Sequence, residues 1–200
     1  VHIGLIFNPS AQGDKARNLQ SQLDSIADEC TLMPTEGPGH AEDLAEQAVV
    51  DGCEILVAAG GDGTVHEVTN GLVRHPDGLK QVSLGILPMG TVNVMARELK
   101  VPLDFEAAWR VIRRGYSEWI DLPWMELQNE GQTQKRCFPA LAGAGLDARA
   151  CELVDWETKK RSGQLAYITA GFRAVSEEMP TFRVQASERV IESAELIMLG

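Results

Sequence analysis

Residues 55–64 of this 200-residue chain read Ile55-Leu56-Val57-Ala58-Ala59-Gly60-Gly61-Asp62-Gly63-Thr64. The stretch opens with a short, continuous apolar run, which is typical of a strand buried in a parallel sheet. Val65, Val68 and Leu72 then recur at helical spacing, so a helix follows the glycines. A buried strand that ends in glycines before a helix directs backbone N–H groups and the positive helix end towards one point. The stretch predicts an anion site, although on these residues alone an ordinary glycine turn is an equal alternative.

Similar strand and helix patterns occur on both sides of this stretch. Apolar runs from Ile3 to Phe7 and from Val82 to Leu87 indicate buried strands, and Phe105 to Arg114 read as a helix capped by Asp104. Repeated units of this kind predict an α/β domain over residues 1–118, with an open, mostly parallel sheet that carries helices on both faces.

The pattern changes after about Trp119. Ile120, Leu122 and Trp124 alternate with polar residues or proline, and residues 128–134 resemble a hairpin loop. We therefore expect residues 119–200 to begin a second, mostly β domain of the β-sandwich kind. Because this region has too few strands to close a sandwich, we also expect that the chain is cut short.

Composition limits the classes of function. The net charge of -11 leaves no basic stripe for nucleic acid, and 44% hydrophobic residues are enough for a core. The cysteines show no C-x-x-C pair, and no apolar run approaches the roughly 18 residues of a membrane span. The chain opens on a strand-like run without a signal-peptide pattern. We expect a cytoplasmic protein, and we leave open peripheral contact with the inner membrane face and a homodimer.

Two further loops share the character of the glycine stretch. Residues 8–13 follow the first expected strand, and residues 87–93 follow a later one; both are rich in Gly, Pro, Asn or Thr. Loops at the carboxyl ends of parallel strands line the ligand crevice of an open sheet. The glycine stretch lacks the lysine of a Walker loop and the G-x-G-x-x-G spacing of a dinucleotide loop, so a metal such as Mg²⁺ is expected to balance phosphate charge.

At this point the chain resembles a known family. Gly60 to Val68, followed by Asn70-Gly71-Leu72, is similar to the signature block of the diacylglycerol-kinase catalytic family, which includes sphingosine and ceramide kinases. Leu87-Pro88-x-Gly90-Thr91-x-Asn93-x-x-Ala96-Arg97-x-Leu99 resembles that family's second block. Further similarities lie at Thr35 with Gly39-His40-Ala41 and at Lys160-x-x-Gly163-x-x-Ala166-Tyr167. The shared Gly-Gly-Asp-Gly loop implies a sheet like that of NAD kinase and phosphofructokinase.

The resemblance implies roles for matching positions. Asp62 would face the transferred phosphate, through a metal or the acceptor hydroxyl, or would only shape the loop as an Asx turn. Glu67 would support the site from the helix, or would only interact with the helix dipole. Metal ligands are not assigned, and the main general base is expected beyond Gly200. The residues implied to bind the nucleotide are Asn8, Thr35, Gly60, Gly61, Asp62, Gly63, Thr64, Val65, His66, Glu67, Gly90, Thr91 and Asn93.

Some positions depart from the family pattern or allow a plainer interpretation. Gln12 stands where the family usually has glycine, and Val94 stands where an acidic residue is common. Asn93 and Arg97 also fit capping and surface roles.

The expected function is ATP-dependent phosphorylation of a lipid hydroxyl, on a diacylglycerol-like lipid or a long-chain base. ATP and Mg²⁺ are the expected cofactors. The alternatives are an NAD kinase-like enzyme that acts on a small molecule and a catalytically silent nucleotide-binding module.

Overall fold

The computed structural model describes residues 1–9, 14–129, 131–154, 164–177, 180–186 and 188–199. The chain forms two compact units, Val1–Pro139 and Ala140–Gly200. The loop predicted at residues 8–13 and the Lys160-to-Tyr167 pattern fall partly outside the described residues.

The first unit alternates strands and helices, as the sequence predicts. Its elements up to residue 113 are β1 (Ile3–Phe7), α1 (Asp14–Asp24), β2 (Thr31–Pro34), α2 (His40–Val50), β3 (Ile55–Gly60), α3 (Asp62–Arg74), α4 (Gly78–Gln81), β4 (Ser83–Pro88), α5 (Val94–Glu98) and α6 (Phe105–Arg113). The strands form one parallel sheet in the order β2-β1-β3-β4. The expected parallel α/β fold is confirmed. From β1 the chain adds β2 on one side and β3 and β4 on the other, so the topological switch point lies between β1 and β3.

The strand register brings the four carboxyl ends to one rim. Phe7 of β1 pairs with Pro34 of β2 and with Ala59 of β3, and Gly60 of β3 pairs with Pro88 of β4. The pairing continues just beyond the strands, since the Thr35 N–H donates to the Phe7 carbonyl at 2.9 Å and the Met89 N–H donates to the Gly60 carbonyl at 2.9 Å. The loops that follow all four strands therefore start side by side.

Apolar side chains cover both faces of the sheet. On one face, alternate residues of β1 and β3 pack against side chains of α6 and of the region at the end of α1. The α6 side chains are Phe105, Trp109 and Ile112, and the others are Leu23 and Ile26. On the other face, α2 contacts β1 and α3 contacts β3. Helices on both faces were expected, and they are what keeps a continuous apolar strand such as β3 out of water.

Helices α2 and α3 pack closely and share a buried charge. A Cβ at Gly71 of α3 would overlap the Glu42 carbonyl of α2 and lie 2.7 Å from the Ala45 Cβ, so only glycine allows this approach. The Glu42 carboxylate is 5% exposed and is bound by Arg74 of α3 at 2.5 Å and by Arg136 at 2.6 Å. Two guanidinium partners compensate the cost of burying this carboxylate.

The first unit ends with the antiparallel hairpin of β5 (Trp124–Asn129) and β6 (Gln132–Cys137). The sequence predicts an alternating run from Ile120 and a loop over residues 128–134. In the structure the strand starts only at Trp124, and Asn129 pairs with Gln132. Gly131, with a φ of 83°, allows the chain to reverse more tightly than the polar composition indicates.

A buried asparagine fixes this hairpin to α3. The Asn70 side chain donates to the Cys137 carbonyl at 3.0 Å and accepts the Cys137 N–H at 2.9 Å. Because Arg136 also binds Glu42, the hairpin is part of the first unit, which extends to Pro139, whereas the sequence predicts a boundary after residue 118.

The second unit contains β7 (Ala142–Gly145), α7 (Leu146–Leu153), α8 (Gln164–Val175), β8 (Phe182–Ala186), β9 (Arg189–Ala194) and β10 (Leu196–Leu199). Strand β7 pairs antiparallel with β10, and β8 pairs antiparallel with β9. Antiparallel strands in this region agree with the expected change of pattern. Arg149 of α7 binds Glu177, just after α8, at 2.6 Å.

Within the described residues, no helix has the length and apolarity that crossing a bilayer requires.

Asn70→Ala tests the attachment of the hairpin. The change leaves a buried N–H and a buried carbonyl of Cys137 without partners, and each such group costs about 1–3 kcal/mol. We expect the free energy of unfolding, measured by urea denaturation, to fall by about 2–4 kcal/mol. The control Gln47→Ala removes an exposed side chain whose bond goes to Asp51, and it should change stability by less than about 0.5 kcal/mol. Equal effects of the two changes would contradict the attachment.

Candidate functional site

Residues 60–64, which we call the glycine turn, join β3 to α3. Gly61 is the N-cap of α3 in an extended conformation, and no side chain caps the helix. The Val65 N–H donates to the Gly61 carbonyl at 3.1 Å, so the earlier N–H groups of the first turn have no intrahelical partner. They lie at the positive end of the helix, next to the switch point between β1 and β3. This is the geometry of an anion site.

Residues 89–93, which we call the Gly90 loop, follow β4 and are held by Asn93. The Asn93 Oδ1 accepts the Gly90 N–H at 2.8 Å, and its Nδ2 donates to the Gly90 carbonyl at 3.0 Å. Asn93 is buried and has a φ of 54°, a conformation that asparagine tolerates better than most residues. Its side chain therefore shapes the loop. Arg97, for which the sequence also allows a capping or surface role, donates from Nε to the Val92 carbonyl at 2.7 Å.

The glycine turn and the Gly90 loop touch through their backbones. A Cβ at Gly61 would lie 3.1 Å from the Gly90 Cα, and a Cβ at Gly90 would overlap the Gly61 backbone. Asp62 adds a second link, because its Oδ1 accepts the Met95 N–H at the start of α5 at 3.3 Å. The two loops thus form one surface, with the Asp62 carboxylate fixed between them.

Residues 35–39, which we call the Thr35 loop, lie on the other side of the glycine turn. Thr35 is half-buried, and Gly39 at the end of the loop has a φ of 83°. Glu67 of α3 reaches this loop, since its Oε2 accepts the Gly39 N–H at 3.1 Å and the Ala41 N–H at 3.3 Å. The Glu67 carboxylate is therefore engaged with the N-terminus of α2.

The structure brings most of the predicted nucleotide residues to this rim. Asn8 directly follows β1, between the Thr35 loop and the glycine turn, while residues 10–13, which include Gln12, lie outside the described residues. Gly63 and Thr91 are exposed. Val65 differs, because its side chain is 2% exposed and packs in the core. His66 lies beyond the first turn, half-buried near Asn70, with the two side-chain nitrogens 3.4 Å apart.

Sequence reasoning did not identify Arg136 as a neighbour of His66 on α3. Arg136 binds Glu42, 94 residues earlier in the chain, and the pair lies close enough to act on His66. No local pattern of residues signals such a contact.

Comparison with known proteins assigns the family. The family model for the diacylglycerol kinase catalytic domain matches residues 2–125, which include the glycine turn and the Gly90 loop. The chain belongs to the diacylglycerol kinase catalytic domain family.

Curated relatives agree with the assignment. The chain is 31% identical over 198 residues to a diacylglycerol kinase of Staphylococcus aureus, covering 96% of this chain and 59% of that protein. It is 29% identical over 200 residues to the diacylglycerol kinase of Staphylococcus saprophyticus, covering 98% of this chain and 62% of the relative. The chain thus spans about three fifths of the length of these relatives.

Solved structures show the same similarity. A crystal structure of a diacylglycerol kinase from Bacillus anthracis strain Sterne superposes with a TM-score of 0.67 at 26% identity, over 98% of this chain and 63% of the other. A second crystal structure from that organism gives a TM-score of 0.71 at 28% identity, over 98% and 65%.

The described part of this family member has no group of three or more His, Cys, Asp or Glu side chains that could hold a metal ion. Mg²⁺ commonly binds one or two carboxylates together with substrate phosphates, and Asp62 at the rim is a carboxylate suited to that arrangement.

His66 has a shifted protonation equilibrium. Burial lowers the pKa of the His66 imidazole and the Arg136 guanidinium lowers it further, while the carboxylates of Glu42 and Glu67 act in the opposite direction. The neutral imidazole is favoured beside the glycine turn.

Gly90→Ala tests the contact between the two loops. The added methyl group would overlap the Gly61 backbone and lie 2.7 Å from the Asn93 Oδ1, so the loops must separate. We expect a loss of about 1–3 kcal/mol in the free energy of unfolding, measured by chemical denaturation. The control is Gly63→Ala, where a Cβ meets nothing within 4 Å. The control should leave stability unchanged or raise it by up to about 1 kcal/mol. Similar losses in both variants would show that the contact is not the cause.

The pKa of His66 predicts a pH dependence of stability. A histidine whose pKa falls on folding binds fewer protons in the folded than in the unfolded state, so its stabilising contribution is lost as pH falls through the unfolded value near 6.5. We expect the free energy of unfolding to decrease between about pH 7.5 and 5.5, and His66→Gln to show a shallower slope. Denaturation curves at several pH values measure both slopes. Parallel slopes for the two proteins would contradict the assignment to His66.

Proposed function

We propose that the protein transfers the γ-phosphoryl group of ATP to the hydroxyl group of a lipid. The observation that carries the proposal is the glycine turn at the topological switch point, in a chain of the diacylglycerol kinase catalytic domain family. The relatives named above are diacylglycerol kinases, which supports a diacylglycerol-like lipid as the acceptor; a long-chain base is kept as the second acceptor on the family resemblance alone.

The triphosphate is proposed to lie over the first turn of α3. Its N–H groups lack intrahelical partners and the helix dipole favours negative charge there. Gly63 has no side chain to keep phosphate oxygens away from the backbone, and an added Cβ there would meet no protein atom within 4 Å. Asn8, Thr35 and Thr91 lie on loops of the same rim, and their side chains are proposed to bind other parts of the nucleotide.

Val65 and His66 are assigned smaller roles in this proposal. The Val65 side chain is buried, so its contribution is limited to the backbone of the turn. His66 follows the first turn of α3 and contributes a neutral imidazole at the edge of the site.

Phosphoryl transfer requires positioning and charge neutralisation more than covalent chemistry from the protein. The lipid hydroxyl oxygen forms a bond to the γ-phosphorus, the bond from that phosphorus to the bridging oxygen breaks, and ADP leaves. A carboxylate accepts the hydroxyl proton. We propose that Asp62 faces the transferred group, through a metal or the acceptor hydroxyl; the Met95 N–H fixes its Oδ1, and the described residues show no bond to its other oxygen. Mg²⁺ would arrive with ATP and reduce the repulsion between its phosphates.

A transfer assay tests the proposal together with Asp62. The protein as the cell makes it is incubated with radiolabelled ATP, Mg²⁺ and, in separate reactions, dispersed diacylglycerol, a long-chain base, ceramide or NAD. We expect label in a lipid, and Asp62→Ala should lower the rate by about a hundredfold or more while the circular dichroism spectrum is retained. The control is Asp28→Asn. Asp28 is exposed and precedes β2, so it lies near the amino ends of the strands, away from the rim that carries the glycine turn.

The outcomes separate the alternatives. Absence of labelled lipid would reject the lipid kinase. Label in NAD alone would favour an NAD kinase-like enzyme, and tight ATP binding without transfer to any acceptor would favour a silent module. Normal turnover of Asp62→Ala would remove Asp62 from the reacting groups.

A further inference from the structure

Helix α2 begins without a cap of its own. Its N-cap is Gly39, which has no side chain, and no side-chain cap bond is formed locally. The first N–H groups of a helix need partners from elsewhere when the sequence supplies no Ser, Thr, Asp or Asn. Here the partner is Glu67, 28 residues later in the chain and on a different helix.

One oxygen of the Glu67 carboxylate provides this cap. A single oxygen, Oε2, accepts the N–H groups of Gly39 and Ala41 at 3.1 and 3.3 Å. The residue is half-buried, and its negative charge lies at the positive end of α2. Glu67 lies in the second turn of α3, and its Oε2 binds N–H groups of α2 and not those of the first turn of its own helix.

The loop that Glu67 holds contributes to the site. Thr35 starts this loop, next to the end of β1, and its N–H binds the Phe7 carbonyl at 2.9 Å. Gly39 ends it in a left-handed conformation, and His40 accepts the Glu36 N–H within it at 3.0 Å. The loop is thus attached to the sheet at one end and to α3 at the other.

We propose that Glu67 is a positioning residue, which fixes the Thr35 loop relative to the glycine turn by capping α2 from α3. Its carboxylate acts as a hydrogen-bond acceptor for the protein backbone and does not contact the nucleotide or a metal. The inference rests on the proposed function, because it assigns the Thr35 loop to the nucleotide site.

The packing of the two helices does not depend on Glu67. Gly71 lies directly against the Glu42 carbonyl, and Arg74 binds Glu42 at 2.5 Å and Asp43 at 2.7 Å. Removal of Glu67 is therefore expected to release the start of α2 and the Thr35 loop while α2 and α3 stay together.

Two substitutions separate positioning from a direct role of the charge. Glu67→Gln keeps a side-chain oxygen that can accept both N–H groups but removes the negative charge. Glu67→Ala removes the acceptor. A matched control is Glu46→Ala on α2, at a carboxylate for which the described part of the chain shows no hydrogen bond or ion pair.

ATP affinity is measured by calorimetry, and hydrogen exchange reports the protection of the Gly39 and Ala41 amides. We expect Glu67→Ala to weaken ATP binding by about tenfold, the effect of one to two net hydrogen bonds, and to lose amide protection. Glu67→Gln should stay within about threefold of the wild type with both amides protected, and Glu46→Ala should match the wild type.

The results distinguish the failure of this inference from that of the proposed function. If Glu67→Gln binds ATP as weakly as Glu67→Ala while its amides remain protected, the charge itself acts on the nucleotide and the positioning role is wrong. Unchanged ATP affinity in Glu67→Ala also overturns the inference. If the wild-type protein binds no ATP, the proposed function fails, and the inference fails with it.

Discussion

The candidate site depends on the placement of β3 inside the sheet. This strand is hydrogen-bonded to β1 on one side and to β4 on the other, and residues 56–59 are buried. Because both faces of the strand are covered, β3 cannot leave the interior of the sheet without exposing a continuous apolar run to water. Because β3 ends level with its neighbours, the glycine turn lies at the rim beside the switch point, where an open parallel sheet leaves room for a ligand.

Helix α3 then organises the loops on both sides of this turn. Asp62 binds the start of α5 and Glu67 binds the start of α2, so each carboxylate of the helix stabilises a neighbouring helix. A net charge of -11 would repel phosphate, and this arrangement reduces that repulsion at the proposed site. The negative side chains are partly compensated by helix N-termini, and the proposed phosphate ligands are backbone N–H groups, which add no net charge.

The sequence predicted the features that depend on local patterns. Apolar runs predicted the positions of the strands, and the glycines from Gly60 to Thr64 predicted which end of the sheet carries the candidate site. Contacts between distant residues were not predicted, because Asn70 meets Cys137 and Glu42 meets Arg136 only after folding. These contacts explain why the first unit extends to Pro139. Val65 shows a conflict between two signals: helical spacing with Val68 and Leu72 indicates the core, whereas the family resemblance implied a ligand contact. The buried side chain agrees with the spacing.

The two ends of α3 have different physical roles: the first turn offers N–H groups, and the later turns hold neighbouring elements in place. In its first turn the N–H groups before Val65 have no intrahelical partner and no side-chain cap, which costs stability that a bound anion would restore. Its later turns, at Asn70, Gly71 and Arg74, fix α2 and the hairpin through buried contacts. A substitution in the later turns acts on the whole unit, because these contacts join three elements. At Gly63 in the first turn, by contrast, an added Cβ would meet no protein atom within 4 Å, so a substitution there is expected to act on the proposed anion binding and not on the packing of the unit.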